Sequence, residues 1–313
     1  MRAVVLGYHT MGCLGFDALL RHGFDVAAVF THRDDPAEEI WWESLAERAG
    51  ARGIPVHFPA GGKDPAFAAA VAGAAPEVIF SFYFRYMVPA AVLGLAPRGG
   101  YNLHGSLLPR YRGRAPVNWV LVNGETETGV SLHEMVARPD AGGLVDQEAV
   151  PITAADTAFT LYAKLENAAR RLLDRTLPAL REGTARAVPL DLEGGSYFGG
   201  RTPADGLIDW SWPADRIYNL VRAVTHPYPG AFTSAAGRRL LVWWALPLPE
   251  GAGAAPGTVT AVGPEGVTVA AGSGSVRLVT CQLEGQPELP AAALAAVAPL
   301  APGVRLGSQG DRP

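Results

Sequence analysis

Cysteine is nearly absent. Cys13 and Cys281 are the only two in 313 residues, which excludes a disulfide-stapled scaffold and makes a reducing, cytoplasmic setting the expectation. Long apolar runs are missing as well; stretches such as 78–82 fall far short of the ~20 residues of a membrane span, so no membrane insertion is expected. The first residues lack the apolar core of a secretion signal. Positive charge is not in surplus: Lys+Arg 26 against Asp+Glu 30 leaves −4 at pH 7, a weak argument against any partner gripped by its phosphate backbone. There is no Walker motif, no HExxH, no CxxC pair and no repeat of fixed period, so nothing in the motifs calls for a metal. What remains is globular composition, 49% apolar and 18% charged, punctuated by scattered glycine and proline.

The first half alternates β-branched runs with helical stretches. Strands are predicted over 3–6, 26–30, 78–82 and 100–103, and helices over 14–21, 38–52 and 65–74. Connections this long between strands imply a parallel sheet covered on both faces, an open α/β domain. Strands over 128–134 and 144–151 follow as a hairpin-like pair around a loop at 138–143. A long helix comes next, with Asp156 as its expected N-cap and Leu161, Leu165, Ala168, Leu172 and Leu173 in one stripe, ending at Gly183. Residues 189–205 carry Gly, Pro and Thr without periodicity and read as a linker. Beyond it, a short helix at 213–224 and strands over 232–234, 239–246, 257–262, 267–270 and 275–280 fit a small all-β barrel of the oligosaccharide/oligonucleotide-binding (OB) type. The expected organisation is 1–188, linker 189–205, second domain 206–304 and tail 305–313.

Gly7, Gly12 and Gly15 sit where a dinucleotide fingerprint would, but as Gly-x4-Gly-x2-Gly. That spacing leaves two readings open, a tight strand-to-helix turn or a helix N-terminus facing a ligand oxygen. A stronger signal lies in Tyr101-Asn102-Leu103-His104-Gly105-Ser106-Leu107-Leu108-Pro109, continued by Arg110-Tyr111-Arg112-Gly113-Arg114-Ala115-Pro116. Asn102 and His104 are two apart at the end of a predicted strand and so share a face. Set against one carbonyl, an amide donor and an imidazole supply oxyanion stabilisation and proton transfer together.

The Ser-Leu-Leu-Pro-x-Tyr-Arg-Gly continuation resembles the formyltransferases that use 10-formyltetrahydrofolate. That family carries a third catalytic residue, an Asp in an Asp-x-Gly turn after a Thr-Gly-Val strand, and Thr128-Gly129-Val130 followed by Asp140-Ala141-Gly142 matches it. Ile208-Asp209-Trp210 and Arg222-Ala223 with Tyr228-Pro229-Gly230-Ala231 are similar to its C-terminal domain. The resemblance thus implies a Rossmann-like catalytic domain followed by an OB-like one.

It further implies catalytic roles for Asn102, His104 and Asp140, with the Asp140 carboxylate raising the histidine pKa. The folate co-substrate is expected against Tyr86, Met87, Val88, Arg114, Val136, Ala137, Arg138, Pro139 and Asp140. A nucleotide is expected at Gly12, Arg201 and Thr202, although an exposed linker charge explains Arg201 equally well. Methionyl-tRNA formyltransferases usually read Arg-Gly-Ala-Ala-Pro-Ile-Gln, whereas here Arg112-Gly113-Arg114-Ala115-Pro116-Val117-Asn118-Trp119 is similar to formyltransferase domains acting on UDP-4-amino-4-deoxy-L-arabinose in lipid A modification and polymyxin resistance. The expected acceptor is therefore a UDP-linked amino sugar; a tRNA or another nucleotide-linked amino sugar is the alternative. In that subgroup a decarboxylase domain follows, so a free-standing enzyme with a separate decarboxylase is expected. The acidic 33–39 segment suits no nucleic-acid clamp. His22, His57, His133 and His226 read as structural or exposed, and Cys281 as packing. Trp41-Trp42 fits either core or a subunit contact, which leaves a homo-oligomer open.

Overall fold

Strands that are buried at almost every position build the first sheet, as expected where helices cover both faces. The computed structural model describes residues 1–36, 38–251 and 253–307; Ala37 of the acidic segment and residues 308–313 of the expected tail lie outside the described residues. The chain divides into two compact units. The first comprises Met1–Pro116, Glu127–Ile152 and Tyr162–Gly199; the second comprises Val117–Thr126, Thr153–Leu161 and the chain from Gly200 onward.

In chain order the elements up to residue 199 are β1 (Arg2–Gly7), α1 (His9–Arg21), β2 (Asp25–Phe30), α2 (Leu45–Gly50), β3 (Val56–His57), α3 (Pro65–Ala74), β4 (Val78–Phe82), α4 (Ala90–Leu93), β5 (Gly100–His104), β6 (Arg112–Gly113), α5 (Pro116–Val122), β7 (Glu127–Glu134), β8 (Leu144–Pro151), α6 (Ala158–Glu182) and β9 (Tyr197–Phe198). The main sheet runs β3-β2-β1-β4-β5-β7-β8, parallel through β5 and antiparallel at β7 and β8. This is the expected Rossmann-like α/β unit. The carboxyl ends of β1, β4 and β5 share one edge, with Gly7 paired to Phe82 and Phe82 to Leu103. Open α/β sheets place ligands outside that edge.

Two helices differ from expectation, each for a tertiary reason. α1 starts at His9, not 14, and includes Gly12 and Gly15 despite their low helix propensity. A Cβ at Gly15 would lie 2.4 Å from the Phe82 ring, and one at Gly12 would lie 3.1 Å from the backbone carbon of Gly7. Close helix–sheet approach, not turn geometry, accounts for both glycines. The helix predicted over 38–52 shrinks to α2, capped by Ser44, whose Oγ accepts from Glu47 N at 3.3 Å. Before it, Trp42 stacks flat on His9 at 3.8 Å and donates its indole N–H to Asp34 at 3.1 Å. Those contacts hold the chain out of a helical path.

α6 keeps the expected stripe, with Leu161, Leu165, Ala168, Leu172 and Leu173 all fully buried. Its cap is Thr157, whose Oγ1 accepts from Thr160 N at 3.3 Å, one residue beyond the expected Asp156. Asp156 instead accepts from Thr153 N at 2.6 Å and Thr160 Oγ1 at 3.1 Å.

The second unit contains a 3₁₀ turn (Pro203–Gly206), α7 (Ala214–Val224), β10 (Ala231–Ala235), β11 (Arg238–Leu248), β12 (Val259–Gly263), β13 (Gly266–Ala270), β14 (Ser275–Leu283), β15 (Leu289–Pro290) and α8 (Ala291–Leu294). Its sheet is antiparallel in the order β10-β11-β14-β13-β12, with β15 beside β14, and is the small all-β domain expected. Cys281 is fully buried within it, and His226 stacks on Trp243 at 3.7 Å while meeting Glu288 at 2.8 Å. Among the described residues no helix is long and apolar enough to cross a membrane.

Candidate active site

β5 ends with Asn102 and His104 on one face, near the carboxyl-end edge of the parallel strands. Antiparallel pairing places His133 of β7 directly opposite Asn102 and Ser131 opposite His104. Cross-strand partners share a face, so two imidazoles and an amide cluster there. The loop between β7 and β8 then folds back over this face and delivers Asp140, whose Oδ1 lies 3.7 Å from His104 Nδ1 and 3.5 Å from His133 Nε2. Asp140 adopts φ 47, a left-handed conformation that Asp tolerates better than most residues. Its other oxygen, Oδ2, accepts from Gly113 N at 2.8 Å.

The carbonyl of Tyr111 accepts from His104 Nε2 at 2.8 Å. A carbonyl can only accept, so the ring carries its hydrogen at Nε2 and turns Nδ1 toward Asp140. The same reasoning applies to His133: Nδ1 donates to the Glu134 carbonyl at 2.8 Å, which leaves Nε2 to accept from Asn102 Nδ2 at 3.1 Å. Asn102 therefore presents Nδ2 to His133 and keeps a second N–H for another acceptor.

Burial lowers the pKa of His104 and outweighs Asp140 and the Tyr111 carbonyl, which act to raise it. Asp140 acts in the expected direction, but with only 6% of His104 exposed desolvation wins, the net shift is downward and the resting ring is neutral. Burial by itself would raise the Asp140 pKa. His104 and His133, whenever either ring carries a second proton, and the Gly113 N–H at Oδ2 reverse that and favour the carboxylate. A neutral base facing an ionised carboxylate is an arrangement that can accept a proton and then stabilise it.

A short two-stranded sheet fixes the backbone that holds these groups. β6 pairs with β9; Tyr111 N donates to Ser196 Oγ at 2.8 Å, and the Tyr111 ring stacks on Phe198 at 4.9 Å. The segment 189–205, read as a linker, thus contributes a strand that positions Tyr111 and Gly113. Below them Ser131 Oγ donates to Ser106 O at 2.6 Å and accepts from Leu108 N at 3.0 Å, tying the Ser-Leu-Leu-Pro turn to β7. Gly113 has φ 100, and a Cβ there would sit 2.1 Å from the Phe198 carbonyl oxygen. Gly113→Ala is expected to destabilise the protein by about 1–3 kcal/mol and to lower turnover. Thermal melts and kcat check this, and a variant matching the wild type in both contradicts the clamp.

Of the expected folate contacts, Met87, Arg114, Val136, Ala137 and Arg138 are exposed, and Tyr86 and Pro139 half-buried. Val88 is not available in the same way, because it packs in the core with Phe67, Ile79 and Val92. Arg114 Nη2 donates to the Arg85 carbonyl at 3.1 Å. The loop after β4, the Arg-Gly loop and Asp140 are thereby linked through Arg114 and Gly113. Gly12 is buried by helix packing. Arg201 and Thr202 lie in the second unit: Arg201 sits 4.6 Å over the Trp119 ring and donates to Asp205 O at 2.9 Å. Thr202 N and Oγ1 both donate to Asp205 Oδ2.

Two half-buried histidines shift in the same direction as His104. Burial pushes His9 down to about 3 and His32 down to about 4. As pH falls below the unfolded value of ~6.5, the unfolded chain takes up protons that these folded rings refuse. Stability should then decline. The melting temperature is expected to fall from about pH 6.5 toward pH 4.5, with a shallower slope in His104→Gln; a flat profile would contradict the neutral burial of these rings.

The sequence reading passed over His133, which is 2% exposed and lies at the centre of the cluster. Its parity with Ser131 along β7 was visible; its pairing with Asn102 was not. The family profile described as formyl transferase matches residues 1–177, and the one described as formyl transferase, C-terminal domain, matches residues 201–299. Among solved structures, the fold is similar to WlaRD, a sugar 3N-formyl transferase crystallised with dTDP and 5-N-formyl-THF, at 18% identity over 92% of this chain and 99% of that one (TM-score 0.69). It is also similar to an N-formyltransferase from Helicobacter canadensis in complex with folinic acid and dTDP-3-aminofucose, at 20% identity over 88% and 98% (TM-score 0.67). HypX from Aquifex aeolicus matches at 19% identity over 95% of this chain but 47% of its own (TM-score 0.63). At these identities the likeness is one of fold. With both family profiles matched along the sequence, the chain belongs to the formyl transferase family.

Proposed function

We propose that this formyltransferase moves the formyl group of 10-formyltetrahydrofolate, as second substrate, onto the amino group of a nucleotide-linked sugar, and that the acceptor is UDP-4-amino-4-deoxy-L-arabinose. The observation that carries the reading is the convergence of Asn102, His104 and Asp140 on one face of β5, beside the Arg112–Trp119 sequence. The similar solved structures support a sugar acceptor, since two of them hold dTDP or a dTDP-amino sugar together with a formylated folate. The working place is the cytoplasm, consistent with two free, buried thiols.

In the reaction the neutral amine adds to the formyl carbon, a C–N bond forms, and negative charge collects on the formyl oxygen. The free N–H of Asn102 donates to that oxygen. The nitrogen of the amine must lose a proton and the departing folate nitrogen must gain one. Nδ1 of His104 accepts and returns it, and Asp140 faces the imidazolium while it exists. The C–N bond to the folate then breaks, giving the N-formylated sugar and tetrahydrofolate.

A dTDP-linked 3-amino sugar is the second reading, favoured by the ligands of those similar structures. A tRNA acceptor fares worse. Asp34 accepts from Tyr8 and Trp42, Glu38 pairs with Arg85 at 2.9 Å, and the segment offers no basic clamp. The test is to supply 10-formyltetrahydrofolate with UDP-4-amino-4-deoxy-L-arabinose, a dTDP-3-amino sugar or methionyl-tRNA and to follow tetrahydrofolate release. Turnover with the UDP-sugar at the highest kcat/KM is expected. Preference for the dTDP-sugar would replace the acceptor, and formylation of the tRNA alone would overturn the sugar reading.

A further inference from the structure

We propose that His133 is a positioning residue that sets which end of the Asn102 amide meets the reacting formyl oxygen. The proposal rests on the reading of Asn102 as the oxyanion donor. An asparagine amide has two nearly isosteric ends, one donating and one accepting, and only the donating end stabilises an oxyanion. Something must break that symmetry. The structure offers a two-step relay.

The Glu134 carbonyl accepts from His133 Nδ1 at 2.8 Å and so determines that the ring hydrogen lies there. Nε2 is then an acceptor and admits only the NH₂ end of Asn102, at 3.1 Å. One N–H is consumed, and the second is held in the plane of the amide for the substrate. A flipped amide would set Oδ1 against the Nε2 lone pair and offer the substrate an oxygen, repelling the charge it should stabilise.

The setting makes the choice consequential. His133 is 2% exposed, so water cannot readily substitute for the lost acceptor. It is anchored by register as well as by hydrogen bonds, standing directly across from Asn102 on β7. The same Nε2 lies 3.5 Å from Asp140 Oδ1, so the ring also spaces the carboxylate from the amide. On this reading His133 acts through Asn102.

Two substitutions separate positioning from packing. Asparagine at 133 reaches about where Nδ1 does and can keep the bond to Glu134 while losing the acceptor for Asn102. Glutamine reaches about where Nε2 does and can keep the acceptor while losing the anchor. Positioning predicts that His133→Gln retains kcat within about fivefold, whereas His133→Asn loses roughly 10–10²-fold in kcat with KM for both substrates within about twofold. A packing role predicts equal losses or the reverse order, and either result overturns the proposal.

In an Asn102→Ala background, His133→Asn should cost less than about threefold more, because the group it positions is gone. Losses that multiply independently also overturn it. If Asn102→Ala is itself fully active, the oxyanion reading fails; if Asn102→Ala is crippled while His133→Asn is not, only the His133 proposal fails. A readout that needs no acceptor substrate is the side-chain amide NMR pair of Asn102, identified by its loss in Asn102→Ala. Its hydrogen-bonded proton should be shifted downfield and protected in the wild type and in His133→Gln, and averaged in His133→Asn. An unshifted wild-type resonance would refute the hydrogen bond directly.

Discussion

His104→Ala is expected to lower kcat by about 10²–10⁴-fold while leaving folate affinity within a few-fold of the wild type. The ring is buried, its Nε2 hydrogen is committed to the Tyr111 carbonyl, and only Nδ1 is free to take a proton. The neighbouring imidazole of His133 is no substitute, since its Nε2 is occupied by Asn102. Single-turnover rates with bound substrates isolate the chemical step, and equilibrium binding of a folate measures the rest. Near-normal turnover would show that the proton moves through water or between substrates directly. A collapse of folate binding would mean that His104 shapes the pocket more than it serves the reaction.

Asp140→Asn should cost about 10²-fold in kcat, and its pH profile should shift in a defined direction. The substitution keeps an oxygen for the Gly113 N–H and changes little in volume. What it removes is the charge facing Nδ1. Breaking a buried pair costs about 3–5 kcal/mol, and here that cost falls mainly on the state in which His104 is an imidazolium. Because Asp140 raises the His104 pKa against burial, removing its charge lets that pKa fall further. The acid limb due to His104 should therefore move to lower pH while the plateau drops. An acid limb moving upward would contradict the electrostatic role, as would an unchanged plateau. The sugar amine adds its own limb in both proteins, so the difference between the two profiles is the informative quantity.

The sequence showed β1, β2, β4 and β5 and the third helix closely, though not the two-residue β3, because β-branched runs and turn glycines act within a few residues. α3 and β4 were predicted to the residue, and the buried stripe of α6 followed from its spacing. It failed where distant aromatic contacts compete with local periodicity. Ile40, inside the helix expected over 38–52, is 44% exposed because Trp42 stacks on His9 and Ser44 restarts the helix. It failed again at 189–205, whose lack of period hid a strand made only by pairing with β6.

By itself, then, the sequence determined the fold class and the placing of the candidate reacting groups, since strand parity puts Asn102 and His104 on one face whatever surrounds them. Tertiary structure alone decided their protonation and orientation. Burial overrides the Asp140 charge at His104, the Tyr111 carbonyl selects its tautomer, and the β5–β7 register brings His133 to Asn102. These depend on desolvation and on contacts between residues far apart in the chain, and neither leaves a local trace in the order of amino acids.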